Sequence, residues 1–274
     1  MDNGEGGLPL FAFLRTRRQR AARYAMSQAS LPSPDFLHVP LAGVAAYWLA
    51  LRKLVGNAKS LKSLEDELHF VAEPFVGHLL ALALSDLSPA RMRQAAAVSA
   101  RAELFRVARQ FDFMRIAVLD IAQAENPLRT LARMLALFPT PPDDPEGILE
   151  QAQDRLQRTT GRQAPREIYL VSNRLNDEAL CTTLLFYAVM ARKHGKAASR
   201  PFLAQAGSSF FVDALALVVD GFDTPFVRKW MKKAKESILS DFDRKVALSV
   251  DLCEALRERL PFESMQLLAK SHLR

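Results

Sequence analysis

A chain of 274 residues with 49% apolar and 24% charged side chains carries enough apolar material for one large core or two smaller ones, which excludes wholesale disorder. Only 11 glycines interrupt a composition rich in Ala, Leu and Arg, so the expected fold class is all-α, with two helical modules joined by a Pro-rich linker. A net charge of +7 admits an acidic protein, an anionic membrane surface or nucleic acid as partner and does not choose among them.

Residues 1–39 read as a basic N-terminal segment and linker. An apolar patch (Leu8, Leu10, Phe11, Phe13, Leu14) precedes Arg15, Arg17, Arg18, Arg20 and Arg23, the reverse of the order in an export signal. A cytoplasmic protein is expected, free or peripheral at the inner membrane. Pro32, Pro34 and Pro40 then remove helical donors and restrain the residues before them.

An N-terminal helical module is expected over 40–138, with breaks near Gly56–Ser60, Ser85–Ser88 and Asn126–Pro127. Ser88 has the side chain of an N-cap and Pro89 suits the first helical turn. The stretch Pro139-Thr-Pro-Pro-Asp-Asp-Pro145 cannot sustain a helix, and the domain boundary is placed there. Within the linker 139–175, Pro145–Thr159 reads as a polar helix. The apolar run Arg166–Val171 would be marginal as a lone strand, so a helix or an extended segment is expected.

The C-terminal module, 176–274, opens with a helix capped by Asn176 or Asp177 that runs to His194 and stops at Gly195. Further helices are expected at Pro201–Asp220, Thr224–Ser240 and Asp241–Arg259, and from Pro261 to the end. Phe75, Val76, Leu79 and Pro89 coincide with Phe211, Val212, Leu215 and Pro225 at an offset of 136, the pattern of a tandem repeat.

No phosphate-binding, dinucleotide-binding, zinc-protease or nucleophile-elbow motif occurs. No catalytic, cofactor-binding or metal-ligating residue is therefore assigned, and no enzyme activity is expected. The five histidines are scattered, and His69 and His78, on one helical stretch, lack the i, i+4 spacing of a helical metal site. Asp241 and Asp243 point to different sides of a helix and suit its N-terminus. Cys181 and Cys253 sit in apolar patterns, as buried reduced thiols do. The apolar runs Pro40–Leu51 and Ala179–Ala191 fall short of the roughly 18 to 20 uncharged residues that cross a bilayer.

The segment LLFYAVMARKHGKAASRPFLAQ (184–205), followed by SSFFVDALALVVDGFDTPFVRKWMKKAKES (208–237), resembles the cytoplasmic segment of MotA-type flagellar stator subunits. There a helix ending in alanine, basic residues and glycine precedes a helix of pattern F-x-V-D-x-L-x-L-x-x-x-x-G. The resemblance implies a surface that contacts the rotor's switch protein. The family's basic position before the glycine falls on Arg192. Its acidic position after the glycine falls on Arg200, with the charge reversed. Stator subunits flank this segment with membrane helices that hold the ion path; here the flanks are not membrane-spanning sequence, so ion conduction is not expected.

Downstream, Arg228, Lys229, Lys232, Lys233 and Lys235 surround Trp230 and Met231, forming a stripe at helical spacing. A solvated face and a contact surface share this pattern. Lysines suit phosphates and carboxylates better than base edges, so sequence-specific DNA reading is not expected. Two partner-binding clusters follow: Arg192, Lys193, Lys196 and Arg200, and then Arg228, Lys229, Lys232 and Lys233. The functional expectation is a soluble adaptor or regulator acting by protein–protein contact, linked through the resemblance to the flagellar motor or a related proton-motive machine. The alternative is a basic helical module binding nucleic acid or an anionic membrane.

Overall fold

The computed structural model describes residues 36–56, 63–71, 73–159 and 165–273, so the basic arm Leu8–Arg23 and residues 160–164 lie outside the description. The described residues are all-α. Ten helices of eight or more residues follow in order: α1 Leu41–Val55, α2 Ser63–Phe70, α3 Pro74–Ala83, α4 Pro89–Ala122, α5 Pro127–Leu135, α6 Pro145–Thr159, α7 Asp177–His194, α8 Ser209–Val219, α9 Thr224–Arg257 and α10 Phe262–His272, with a single helical turn at Arg200–Leu203 between α7 and α8. The one β feature among them is an isolated parallel bridge between Val171 and Gly207.

The helix boundaries follow from local chemistry. Pro74, Pro89, Pro127 and Pro145 each open a helix, where a missing N–H is harmless. Asn126 accepts the Leu128 N–H at 3.0 Å and Asn176 accepts the Ala179 N–H at 2.8 Å. Gly195, at φ 83°, closes α7 with its N–H on the Ala191 carbonyl at 3.0 Å.

Several expected boundaries move. α9 is a single 34-residue helix, because nothing between Phe226 and Leu260 is a glycine or proline. Asp241 is therefore inside the helix, away from any N-terminus, and its carboxylate pairs with Lys245 one turn on. The region Pro201–Asp220 breaks where Gly207, at φ 91°, turns the chain onto Val171. The run 166–171 divides into a 3₁₀ turn at Arg166–Ile168 and an extended Val171. His69 and His78 lie on separate helices, since Pro74 starts a new one between them.

The chain forms two compact units, and these do not divide at Pro139–Pro145. One unit takes the described residues up to Arg101 together with those from Asp241 onward; the other is Ala102–Ser240. Both divisions fall inside a 34-residue helix, α4 or α9. The Pro-rich stretch is a connection within the second unit, between α5 and α6.

In the first unit α10 packs on α1. Trp48, Leu79, Leu80 and Cys253 are buried there, and Phe36 meets the edges of Phe75 and Phe242 at 6.3 and 6.4 Å. Lys245 is 2% exposed, and its ammonium donates to the Phe36 carbonyl at 2.9 Å and to Asp241. Pairing of this kind is what lets a lysine stay inside. In the second unit α7 is the central helix: every residue from Leu180 to Met190 is buried, with α6 and α5 packed on it. Its threonines turn inward, the Thr182 and Thr183 hydroxyls donating to the Glu178 and Ala179 carbonyls. Both thiols are buried and unbridged, and burial pushes their pKa values up, which makes them poor nucleophiles.

Candidate partner-docking face

All eight cationic residues picked out by the sequence lie in the second unit, Ala102–Ser240. The structure sorts them by what each already holds. The Arg192 guanidinium donates to the Ala124 carbonyl and the Lys196 ammonium to the Ala122 carbonyl. These are carbonyls at the C-terminal end of α4, where the helix leaves acceptors unsatisfied and its dipole is negative. Arg192 and Lys196 thus cap α4. Arg200 pairs with Asp220, the residue that ends α8, at 2.7 Å. Lys193 is exposed and makes no ion pair or hydrogen bond among the described residues.

The second cluster is different. Arg228, Lys229, Lys232 and Lys233 are all exposed on the first turns of α9. Among the described residues Glu236 is the acid that pairs with them, 2.9 Å from Lys233 and 4.0 Å from Lys232. The hydrogen bond from Lys233 holds the Glu236 carboxyl below the usual carboxylate range. Among the described residues Arg228 and Lys229 make no ion pair or hydrogen bond. Lys235, the fifth cation of the stripe, turns the other way and pairs with Asp112 of α4 at 2.6 Å.

A shallow groove of about 390 Å³ runs along this face, lined by Gln123, Thr224, Pro225, Arg228, Lys229 and Lys232. Gln123 lies at the end of α4 that Arg192 and Lys196 cap, so both clusters gather around the same turn. Apolar anchors stand at the adjoining corner. Phe222 and Phe226 are 49% and 45% exposed, and their rings stack at 5.2 Å between centroids. Asp223 fixes the corner by accepting the Phe226 N–H at 3.1 Å.

Trp230 stacks on Phe210 at 6.2 Å and is an inward-side residue. Sequence reasoning missed the phenylalanine pair. The signal was available: the buried stripe of this part of α9 runs through Val227 and Met231, and Phe226 lies off it.

Among the described residues no helix is long and apolar enough to cross a membrane, and no group of three or more His, Cys, Asp or Glu side chains is placed to hold a metal ion. Comparison of the chain with protein-family models, with curated proteins and with solved structures gives no match.

Proposed function

We propose that the protein is a helical adaptor that docks an acidic protein segment on the N-terminal half of α9. The observation that carries this reading is the exposed cationic face Arg228, Lys229, Lys232 and Lys233, paired among the described residues with Glu236 alone and bordered by the stacked Phe222–Phe226 pair. Four like charges held on one face repel each other, and an acidic partner relieves that repulsion. The exposed rings give the same partner an apolar anchor to close over.

The resemblance of 184–237 to the stator segment makes a component of the flagellar rotor one candidate for that partner, met in the cytoplasm at the inner membrane. The contact would not follow the stator family's manner, because Arg192 and Arg200 are engaged within the chain. The partner would meet α9 instead.

The test is binding of a fluorescent glutamate-rich peptide carrying one phenylalanine, measured alongside duplex DNA and phosphatidylglycerol vesicles. The wild-type chain is expected to bind the peptide. A variant with Arg228→Glu, Lys229→Glu, Lys232→Glu and Lys233→Glu is expected to lose that binding while keeping its helicity. Binding of DNA or vesicles with none of the peptide would replace this reading by the nucleic-acid or membrane alternative. Failure of the purified rotor switch protein to bind would remove the flagellar setting alone.

A further inference from the structure

The helices of the first half recur in the second at a nearly constant spacing. α3 and α8 begin at Pro74 and Ser209, α4 and α9 at Pro89 and Thr224, and α5 and α10 at Pro127 and Phe262, each pair 135 residues apart. α4 and α9 have the same length, 34 residues. α1 and α7 begin at Leu41 and Asp177, within one residue of that spacing.

Burial follows the same register. Every buried residue of α9 has a buried counterpart in α4 at offset 135, as with Val227 and Met92, Phe242 and Val107, Val246 and Phe111, and Cys253 and Val118. Every buried residue of α8 likewise matches one in α3, Phe210 with Phe75 and Leu215 with Leu80 among them. Met265 and Ala269 of α10 match Thr130 and Met134 of α5. The four residue identities at offset 136 are one position out of this register, so it is the buried pattern that carries the repeat.

The polar anchors recur as well. Buried Lys245 donates to the Phe36 carbonyl ahead of α1, and its counterpart, buried Gln110, donates to the Leu175 carbonyl ahead of α7, both at 2.9 Å. Near the end of α1, Arg52 donates to the Leu260 carbonyl just past α9. Near the end of α7, one helical turn beyond the register counterpart of Arg52, Arg192 donates to the Ala124 carbonyl just past α4. In one unit α10 packs on α1, and in the other α5 packs on α7.

We infer that the chain is two copies of one helical module, α1–α5 and α7–α10, in 135-residue register, and that each compact unit is assembled from parts of both copies. The unit Ala102–Ser240 takes the end of α4 and α5 from the first copy and α7, α8 and the start of α9 from the second; the other unit takes the complementary parts. The copies differ where the docking face lies. Arg228, Lys229, Lys232 and Lys233 correspond to Arg93, Gln94, Ala97 and Val98, and Arg93 is held by Glu254 at 2.7 Å. The same place on the module does without the lysines in the first copy, so the fold does not demand them in the second.

Two experiments on the full-length chain test the duplication without reference to any partner. In the first, a circular permutant opened at 139–144, with Arg274 joined to Met1, exchanges the order of the copies. It is expected to keep its helicity and to unfold in one cooperative transition within about 10 °C of the wild type. A chain nicked by protease in the same stretch is the control. If the nicked chain stays folded and the permutant does not, the duplication is overturned. In the second, buried Asp120 and the half-exposed Arg133 that pairs with it in the first copy are replaced by their counterparts Ala255 and Leu268, as Asp120→Ala with Arg133→Leu. The double substitution is expected to recover most of the thermal stability lost in Arg133→Leu alone. No recovery would also overturn the duplication, and this result holds even if opening the chain at 139–144 is itself not tolerated.

Discussion

Ala124 and Arg259 stand in the same place 135 residues apart: each has a positive φ, 52° and 58°, and each closes a 34-residue helix. They are the only two such residues other than glycine among those described. Glu125 and Leu260, the next residue in each case, send their N–H back to the Asp120 and Ala255 carbonyls at 2.9 and 3.0 Å, the Schellman closure of a helix end. An L side chain in this conformation costs roughly 1–2 kcal/mol, partly offset in Gly by its larger loss of freedom. Ala124→Gly should raise stability by about 0.5–1 kcal/mol, read from the urea midpoint. A fall in midpoint would show that the strain is absent.

Arg192 and the Ala124 carbonyl separate a structural role from a binding role. Arg192→Glu replaces a donor at the α4 C-terminus with a negative charge facing the helix's own negative end, and should cost about 1–2 kcal/mol. A residue serving only a partner would leave the thermal midpoint unmoved, so unfolding of the isolated protein decides between the two.

Lys245→Met should destabilise the chain by about 1–3 kcal/mol, since the buried Phe36 carbonyl loses its donor while half-exposed Asp241 can turn to water. Lys245→Gln, the residue type at its counterpart Gln110, should cost less than the methionine. Equal losses for the two variants would mean that the hydrogen bond contributes nothing.

Asp120 gives a pH dependence. Burial is the main influence on its carboxyl and raises its pKa, outweighing the hydrogen bonds from Thr130 and Arg133. The unfolded chain has the lower value, so the stability linked to the protonated group is fully present below the unfolded value of 3.8 and is lost as pH rises through the folded one. Relative to Asp120→Asn, which does not titrate, the wild type should lose stability as pH rises from the unfolded value of 3.8 through the raised folded one. A wild type that gained on the variant over that range would show that the Arg133 pairing wins.

Gly207→Ala should be among the more damaging single changes. A Cβ there would lie 2.7 Å from Leu170 Cδ1 and 2.9 Å from the Val171 carbonyl oxygen, at a φ of 91° that disfavours any side chain. Roughly 1–3 kcal/mol is expected, together with faster exchange of the Ser208 amide, which bonds to the Val171 carbonyl. An unchanged exchange rate would argue that the bridge is not holding the 165–175 segment.

What was legible in the sequence was local. Pro89, Pro127, Asn176 and Gly195 mark helix ends because each acts on its own backbone, and the apolar run from Leu180 to Met190 announced a buried helix. Asp241 and Asp243 resemble a helix N-terminus and suggest two helices where α9 is one, because with no breaker beside them the helix continues. Burial of Lys245 was illegible, since a lysine is taken for a surface residue until Phe36, 209 positions away, supplies its acceptor. The division into units was hidden for the same reason: contacts define it, and Pro139–Pro145 punctuates the chain without separating the cores. Of the candidate site, charge and spacing could place the cations, but not say which of them were already bonded within the chain.

The interleaving of the two halves also sets an order of assembly. Ala102–Ser240 is one continuous stretch of chain, and during synthesis all of its helices are available once Ser240 has emerged. The other unit is discontinuous and needs the residues from Asp241 onward beside described residues that precede Arg101 and are made earlier. Until α9 and α10 are released, the apolar faces of α1 and α3 wait without partners from that part of the chain, longer than anything in the contiguous unit. The early helices are therefore where a stalled or shortened chain would be exposed to aggregation or to chaperone capture.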